Sequence, residues 1–441
     1  MVDREKDRLP RLVFADCNGA VYDHPHLKMA GRSGDSFVLP EEGELVPLPE
    51  GSQLFTMPGR FPVGWDDEEG SYIFLQEVPA APMDSKSLAV AAFLPPGYTR
   101  TLLPATELHD RWPTLPLWAY CSVGWRAGKF WATGIRVDRN PHWDPRYFQD
   151  DRELASKVKQ FLRDCEGNRL VEQLSRCALE YHCFAAKNVF YRRWECPLPT
   201  SPVCNAECIG CLSFQPPGGC QVSHERITFI PTAEEVTQVA LPHLQDAEDA
   251  IVSFGQGCEG EPLLQVDLLE RSIAALRNKT DRGTINLNTN GSIPRYVERL
   301  CRAGLDSIRI TLNSHNPDRY NRYFNPKGYG IGHVMESIHR ARERGVFTAT
   351  NLLVFPGITD QKEEVDGLIS FIRQTNIDMV QVRNLNIDPD LYLQALGSDG
   401  GKGVGIPQML DLLREKFPHL IIGYFNKTRE TFPRASLGDS T

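Results

Sequence analysis

From residue 197 onward the sequence alternates short apolar runs with amphipathic stretches, and this alternation limits the possible fold more than any other feature. Strands and helices in alternation predict a mixed α/β fold with a parallel sheet and right-handed crossovers. Such a sheet is either open and doubly wound, or it forms a full or partial barrel. Six strands are predicted, at residues 199–203, 250–254, 284–287, 307–312, 347–354 and 379–383.

The stretches between these strands have the apolar spacing of amphipathic helices. The first helix is predicted to begin after Thr232, which forms a capping box with Glu235, and to end near Pro242. In parallel α/β folds, ligands bind at the carboxyl ends of the strands, so polar residues there are candidate site residues. The other helices are predicted at residues 263–277, 294–303, 332–344 and 364–375.

Composition and periodicity divide the chain into four predicted parts. Residues 1–150 contain short apolar runs separated by Pro and Gly turns, which is typical of a β-rich domain. Residues 151–196 are predicted to form a helical connector, in which Cys177 lies on the apolar face. The strand–helix core then occupies residues 197–395, and residues 396–441 are predicted to form a C-terminal β/α extension.

Charge and hydropathy exclude several classes of function. The chain has 441 residues and a formal net charge of −9, which argues against a general nucleic-acid binder. No apolar stretch approaches the roughly 18 residues that a membrane span requires. The charged amino terminus lacks the apolar segment of a secretory signal, so we expect a cytoplasmic protein that does not contact membranes.

Twelve cysteines are unevenly placed, with nine of them between Cys165 and Cys258. Because the cytoplasm keeps thiols reduced, this clustering indicates metal or cofactor chemistry rather than disulfides. Three of them form a Cys-x3-Cys-x2-Cys motif just after the first predicted strand. Such a loop can hold three irons of a [4Fe–4S] cluster and leave the fourth iron open. The motif cysteines are Cys204, Cys208 and Cys211.

A closed metal site is the alternative to an open cluster. A zinc ion or a structural iron–sulfur cluster would require a fourth protein ligand. Cys220 and His224 are the nearest candidates, and the intervening prolines and glycines do not prevent this closure.

The cysteine spacing and the β/α pattern resemble the radical S-adenosylmethionine (radical SAM) superfamily, over about residues 197–390. The resemblance implies a partial (β/α)6 TIM-like barrel that binds a [4Fe–4S] cluster and S-adenosylmethionine. In that family the cofactor's amino and carboxylate groups chelate the open iron. The reduced cluster cleaves the cofactor to methionine and a 5′-deoxyadenosyl radical, which abstracts hydrogen from the substrate.

Residues at the predicted strand ends match further positions of the family. Gly260 and Glu261 fit the end of its Gly-Gly-Glu-Pro-like motif, which contacts the cofactor's amino group. The resemblance also implies an apolar segment against the adenine after the fifth strand, and polar contacts after the third and fourth. Turn and helix-capping roles are the alternative for the polar residues. The implied contacts are Asn288, Asn290, Asn313, Ser314 and Leu353.

Some residues depart from the family or stay ambiguous. The residue before the last motif cysteine is often aromatic in the family, whereas here it is Gly210. Cys258 lies in the glycine-rich loop and is either a small buried residue or a thiol beside the cofactor. Arg383 and Asn384 close the sixth strand, where they face either the substrate or the cofactor's carboxylate. No catalytic residue is assigned.

The predicted function is therefore hydrogen abstraction from a peptide, protein or small-molecule substrate, with an electron donor such as flavodoxin or ferredoxin as partner. A radical methylase or a sulfur-inserting enzyme would use the same cluster. A non-catalytic iron–sulfur or zinc-binding module is the third possibility. Residues 1–196 are expected to provide substrate specificity, either by covering the barrel mouth or by binding a peptide.

Overall fold

The computed structural model describes residues 9–79, 86–109, 112–217, 219–397 and 401–433. Its amino-terminal region is built from antiparallel strands in a large branched sheet and a small three-stranded sheet. Small and β-branched side chains such as Val13, Ala92 and Ala132 fill the core between these strands. The strands are β1 Arg11–Ala15, β2 Val21–Met29, β3 Gly31–Ser33, β4 Ser36–Val38, β5 Leu45–Pro47, β6 Gln53–Met57, β7 Arg60–Asp66, β8 Ser71–Phe74, β9 Leu88–Phe93, β10 Tyr98–Arg100, β11 Leu103–Pro104, β12 Thr106–Leu108, β13 Val123–Arg126 and β14 Lys129–Arg136.

Short helices connect this region to the rest of the chain. The third of them buries an apolar stripe that includes Leu170, Leu174 and Cys177, as its spacing predicts. Its amino terminus is capped by Asn168, whose side chain accepts a hydrogen bond from the Val171 amide at 3.1 Å. The helices are α1 Arg146–Gln149, α2 Leu154–Asp164, α3 Arg169–Leu179 and α4 Phe184–Tyr191.

The second half of the chain contains a seven-stranded parallel sheet whose neighbours follow chain order. The sheet curves into a half barrel, so the predicted mixed α/β fold with a partial barrel is confirmed. Its core is apolar and nearly solvent-free, with residues such as Val252, Leu287 and Ile310 fully buried. The strands are β15 Arg193–Leu198, β16 Glu248–Phe254, β17 Thr284–Thr289, β18 Ser307–Leu312, β19 Phe347–Val354, β20 Met379–Asn384 and β21 Ile421–Gly423.

Helices cover the outside of the half barrel. The predicted capping box forms at the first of them: the Glu235 amide donates to the Thr232 hydroxyl at 3.1 Å, and the Thr232 amide donates to the Glu235 carboxylate at 2.7 Å. None of the helices in the described ranges is long and apolar enough to cross a membrane. The helices are α5 Ala233–Asp246, α6 Val266–Arg277, α7 Pro294–Ala303, α8 Pro317–Phe324, α9 Ile331–Glu343, α10 Lys362–Thr375, α11 Pro389–Leu396 and α12 Ile406–Lys416.

Three boundaries differ from the prediction. The first strand is β15 rather than residues 199–203, because the Thr200 and Ser201 amides donate to the Glu259 side chain instead of a strand ladder. Helix α5 continues through Pro242, since its last turn is held by burial of His243, whose Nε2 lies 2.8 Å from the Trp194 carbonyl oxygen. The sheet also continues beyond residue 395, the predicted end of the core, because β21 in the C-terminal extension pairs with β20.

The amino-terminal region lies against the carboxyl end of β20. The Thr99 hydroxyl donates to the Val382 carbonyl at 2.8 Å, and the Arg100 amide donates to the Asn384 side chain at 2.9 Å. Just beyond β20, the Arg60 guanidinium pairs with Asp388 at 2.7 Å. These contacts place strands of the first region above the barrel mouth.

Candidate active site

A cavity of about 440 Å³ lies at the carboxyl ends of the barrel strands. The amino-terminal region contributes Phe93, Leu94 and Ala119 to its wall, so that region covers part of the barrel mouth. The structure brings most of the predicted site residues together on this cavity. Those that line it are Cys204, Cys208, Cys211, Gly260, Glu261, Asn288, Asn290 and Leu353.

Two predicted contacts do not line this cavity. The Ser314 hydroxyl instead donates to the Glu364 carboxylate at 2.8 Å and accepts from the Asn316 amide at 2.9 Å. The Asn313 side chain donates to the Arg319 carbonyl at 3.3 Å. Both side chains thus contact residues at the start of α8, whose amino terminus is capped by Asn316, and their contacts with the cofactor stay predictions.

The cysteine loop is fixed by the carboxyl end of α8. The Ile209 amide donates to the Tyr323 carbonyl at 3.0 Å, and the Cys211 amide donates to the Cys208 carbonyl at 3.1 Å. Burial raises the pKa of the Cys204 thiol to about 11. Burial also raises the pKa of Cys208, and the charges of Cys211 and Cys204 raise it further. The Cys204 and Cys208 thiols therefore keep their protons near pH 7 without metal, and a bound metal would displace them.

Arg226 supplies a cation beside the motif that the sequence does not reveal. Its Nη2 donates to Cys211 Sγ at 3.4 Å, and its Nε donates to the Ser213 hydroxyl at 3.1 Å. A positive hydrogen-bond donor at a sulfur stabilises negative charge there. The segment that carries Arg226 lies outside any strand or helix, so no periodicity indicated where its side chain would point.

Glu259 ties the cysteine loop to the glycine-rich loop after β16. One of its buried carboxylate oxygens accepts from the amides of Thr200 and Ser201, at 2.7 and 3.0 Å. The other oxygen accepts from the amides of Gly255 and Gln256, at 2.7 and 2.9 Å. These charge-assisted hydrogen bonds fix the two loops relative to one another.

Glu261 ties the same glycine-rich loop to the end of β17. It is 3 % exposed, and its two oxygens accept from the Thr289 hydroxyl, the Leu263 amide at 3.0 Å and the Asn290 amide at 2.8 Å. Burial raises the pKa of Glu261 to about 7. Its carboxylate is thus engaged within the protein, and its contact with the cofactor's amino group stays a prediction.

Two asparagines at the carboxyl end of β17, Asn288 within the strand and Asn290 just after it, line the cavity. The Asn288 Nδ2 atom is buried and has no hydrogen-bond partner among the described residues, while its Oδ1 accepts from Asn286 at 2.9 Å. The Asn290 side chain donates to Asn205, next to Cys204, at 2.8 Å. A buried hydrogen-bond donor without a partner lowers the stability of the ligand-free protein. A ligand that accepts a hydrogen bond from the Asn288 side chain therefore fits this wall.

The two candidates for a fourth protein ligand are not part of the cavity wall. Neither Cys220 nor His224 lines it. Tetrahedral zinc would hold its sulfur ligands about 3.8 Å apart, given Zn–S bonds of about 2.3 Å. Among the described residues, however, three ligand atoms lie within 4.8 Å of one another only at the half-buried or exposed His142, Glu248 and Asp249. The wider spacing of the motif thiols fits a cluster, whose thiolates bind different irons, better than one ion.

Gly210 has an aromatic neighbour from another element. A Cβ atom at Gly210 would lie 2.8 Å from the Tyr323 hydroxyl oxygen, so a side chain larger than hydrogen would force that ring to move. Tyr323 lines the cavity beside Gly210 and is 4 % exposed. Tyr323 of α8 thus occupies the space that a side chain at position 210 would need, a contact that sequence spacing could not indicate.

Comparison with known proteins agrees with this geometry. Residues 198–369, about two fifths of this chain, match the family model of the Radical SAM superfamily. This is a superfamily of enzymes that use a [4Fe–4S] cluster and S-adenosylmethionine, the two cofactors predicted from the cysteine motif and the resemblance.

Two groups of curated relatives are similar to this chain. Molybdenum cofactor biosynthesis protein 1 of Bos taurus is 27 % identical over 270 residues, which cover 58 % of this chain and 39 % of that protein. GTP 3′,8-cyclase of Alkaliphilus oremlandii is 28 % identical over 189 residues, covering 42 % of this chain and 54 % of the cyclase. The chain thus spans about two fifths to one half of the lengths of these relatives.

Solved structures are similar at lower identity. Methylornithine synthase (PylB) aligns with a TM-score of 0.38 and 14 % identity, over 60 % of this chain and 73 % of that one. Streptococcus suis SuiB bound to S-adenosylmethionine aligns with a TM-score of 0.37 and 14 % identity, over 61 % and 62 % of the two chains.

Replacing Arg226 with glutamine is expected to make the midpoint potential of the reconstituted cluster more negative. The substitution removes a positive hydrogen-bond donor from Cys211, and hydrogen bonds to the sulfurs are one determinant of cluster potential. An anaerobic redox titration followed by electron paramagnetic resonance measures the shift. Arg271→Gln, which changes an exposed arginine of α6, is the control, and equal potentials in the two variants would contradict the expectation.

Proposed function

We propose that this chain is a radical SAM enzyme that acts on a small molecule enclosed between the half barrel and the amino-terminal region. One observation carries the proposal. The three motif thiols, the Gly260–Glu261 loop and the polar end of β17 all lie on one cavity at the carboxyl ends of parallel strands. Ligands of α/β barrels bind at this position.

The cofactors supply chemistry that amino-acid side chains cannot: when bound, the reduced cluster and S-adenosylmethionine generate a radical that abstracts hydrogen from the substrate. Cys204, Cys208 and Cys211 would hold three irons of the cluster. The protein's own residues would bind these cofactors and hold the surrounding loops in position. Glu259 and Glu261 hold three loops in register, and Asn288 offers a free amide donor to the bound cofactor.

Two features support a small-molecule substrate over a peptide. The cavity of about 440 Å³ is within the range of small-molecule sites, about 300–1,000 Å³. Residues of the amino-terminal region, among them Phe93 and Leu94, also line the cavity, so they narrow the barrel mouth. GTP 3′,8-cyclase, a relative named for a nucleotide substrate, is consistent with the same class of substrate.

An external one-electron donor, such as flavodoxin or ferredoxin, is part of the proposal.

Anaerobic reconstitution tests this function. The full-length protein is loaded with iron and sulfide, analysed for metal content, and then incubated with dithionite and S-adenosylmethionine. We expect about four irons per chain at the motif and formation of 5′-deoxyadenosine, quantified by mass spectrometry. Zinc in place of iron, or a full cluster that yields no 5′-deoxyadenosine, would reject the proposal.

A further inference from the structure

A second chamber of about 450 Å³ adjoins the cysteine cavity. It lies between the amino-terminal strands, the start of α4 and the inner face of the half barrel. The two spaces share part of their walls, so a molecule in the second chamber can reach toward the motif cysteines. The shared residues are Phe93, Gln256, Arg309, Arg383 and Tyr424.

Arg309 enters this junction from β18 without a carboxylate partner. Its Nη1 donates to the Gln381 side-chain oxygen at 3.1 Å, and its buried Nε has no hydrogen-bond partner among the described residues. Burial, and then the charge of Arg383, lower the pKa of Arg309 to about 9. Arg309 is therefore still a cation at neutral pH, with donor capacity that the fold leaves unused.

Arg383 enters the same junction from β20. Its Nε donates to the Tyr424 carbonyl at 2.9 Å, and its guanidinium lies over the Tyr424 ring, 4.4 Å from the ring centre. No ion pair within 4.0 Å joins either arginine to a carboxylate in the described part of the chain. Elsewhere in the same barrel, arginines do form ion pairs: Arg319 pairs with Glu364. Arg342 likewise pairs with Asp378.

The charge balance of the chamber is positive. Among the described residues of its wall, one carboxylate, Glu195, stands against the two arginines. That carboxylate already accepts hydrogen bonds from Ser253 at 2.7 Å and Asn426 at 2.8 Å. The two neighbouring arginines therefore favour an anionic ligand, because the one nearby carboxylate already accepts hydrogen bonds from other residues.

Aromatic rings form the far wall of the chamber. Trp143 and Phe425 are stacked with ring centres 5.7 Å apart, and Tyr424 lies 5.2 Å from Phe425. Phe184 and Pro96 complete the apolar side. The arginines line one side of the chamber and the aromatic rings line the other. A ligand that fits both sides has a charged end that faces the arginines and an apolar body that faces the rings.

We infer that the second chamber binds a substrate that combines an apolar or aromatic body with a carboxylate or phosphate group, and that Arg309 and Arg383 hold that anion. The inference rests on the proposed function, because it assigns the substrate class of the same site. It makes Arg309 and Arg383 binding residues that orient the substrate toward the motif cysteines.

Calorimetric titration of the full-length protein without iron tests the assignment. The probes are benzoate, phenyl phosphate and the neutral benzamide. We expect at least one anionic probe to bind about tenfold or more tightly than benzamide, because charge-assisted bonds to two arginines are lost with the neutral ligand. The stronger of the two anions identifies carboxylate or phosphate as the recognised group.

Single substitutions locate the binding. Arg309→Gln and Arg383→Gln should each weaken the anionic probe about tenfold or more, whereas Arg271→Gln should leave its affinity unchanged. A second measurement uses the unmutated protein, so its result does not depend on whether the variants fold. Modification of arginines by phenylglyoxal, mapped by peptide mass spectrometry, should be suppressed by the probe at Arg383 and unchanged at Arg271.

Several results would overturn the inference. In the titration, these are equal affinity for benzamide and both anions, or no binding of any probe. In the variants, the contradicting result is unchanged probe affinity in both Arg309→Gln and Arg383→Gln. In the modification experiment, it is reaction at Arg383 that the probe does not suppress. Displacement of the probe by S-adenosylmethionine would also do so, because the arginines would then bind the cofactor's carboxylate. The assay uses no cluster, so failure of cofactor cleavage would leave probe binding unaffected. A protein that cleaves the cofactor but binds no anionic probe would contradict this inference alone.

Discussion

Replacing Cys208 with alanine is expected to remove the iron–sulfur cluster and with it all cleavage of S-adenosylmethionine. Cys208 is the middle thiol of the motif, and its loop is held against α8 by backbone hydrogen bonds on both sides. No other thiol of the described chain lines the cavity besides Cys204 and Cys211, so none can replace it. Iron content after reconstitution should fall from about four per chain to near zero.

Two other cysteine substitutions make this prediction specific. Cys301→Ala changes a buried thiol of α7 outside the cavity, and it should retain iron and activity. Cys220→Ala tests the closed-site alternative directly, and we expect it to retain the cluster as well. Loss of iron in Cys220→Ala to the same extent as in Cys208→Ala would show that four protein ligands close the site.

The parallel half barrel could be predicted because its strands are fully buried and therefore read as continuous apolar runs between amphipathic helices. Strand β18 and helix α7 have the predicted bounds, since turn residues flank them on both sides. The first strand was misplaced because Thr200 and Ser201 make their hydrogen bonds with the Glu259 side chain, a contact across 58 or more residues of sequence. Such long-range partners leave no local pattern.

The same limit applies to the site. Asn288 and Glu261 were predicted to lie at the site because parallel strands end at one edge of the sheet and because the family resemblance implies contacts there, and both line the cavity. Arg226 lies in an irregular segment, and Tyr323 reaches Gly210 from a helix more than one hundred residues away, so neither has a periodic signal. Arg309 is a different case: its position in a strand was predicted, but only the absence of an ion pair marks it as a binding residue.

Replacing Arg60 with methionine is expected to destabilise the protein by about 3–5 kcal/mol, the typical cost of removing one partner from a buried ion pair. Its side chain is 0 % exposed and pairs with Asp388 at 2.7 Å and Asp390 at 3.1 Å. Its Nη1 also donates to the carbonyls of Pro58 and Pro113, at 3.0 and 2.7 Å. Urea unfolding followed by tryptophan fluorescence measures the loss. Arg146→Met, at an exposed pair with Asp144, should leave the unfolding midpoint unchanged.

The pH dependence of this effect follows from Asp388. Burial raises the pKa of Asp388, and the charge of Arg60 opposes that rise, so the variant should raise it further. A carboxyl group whose folded pKa lies above its unfolded value destabilises the folded state as pH rises and ceases to do so once it is protonated. The destabilisation by Arg60→Met should therefore shrink from about pH 8 to about pH 5. Adding Asp388→Asn, which keeps an acceptor for the Leu115 amide but removes the charge, should restore part of the stability. If the single variant loses less than about 1 kcal/mol, or the double variant loses more than the single one, this ion pair does not hold the amino-terminal region over the barrel mouth.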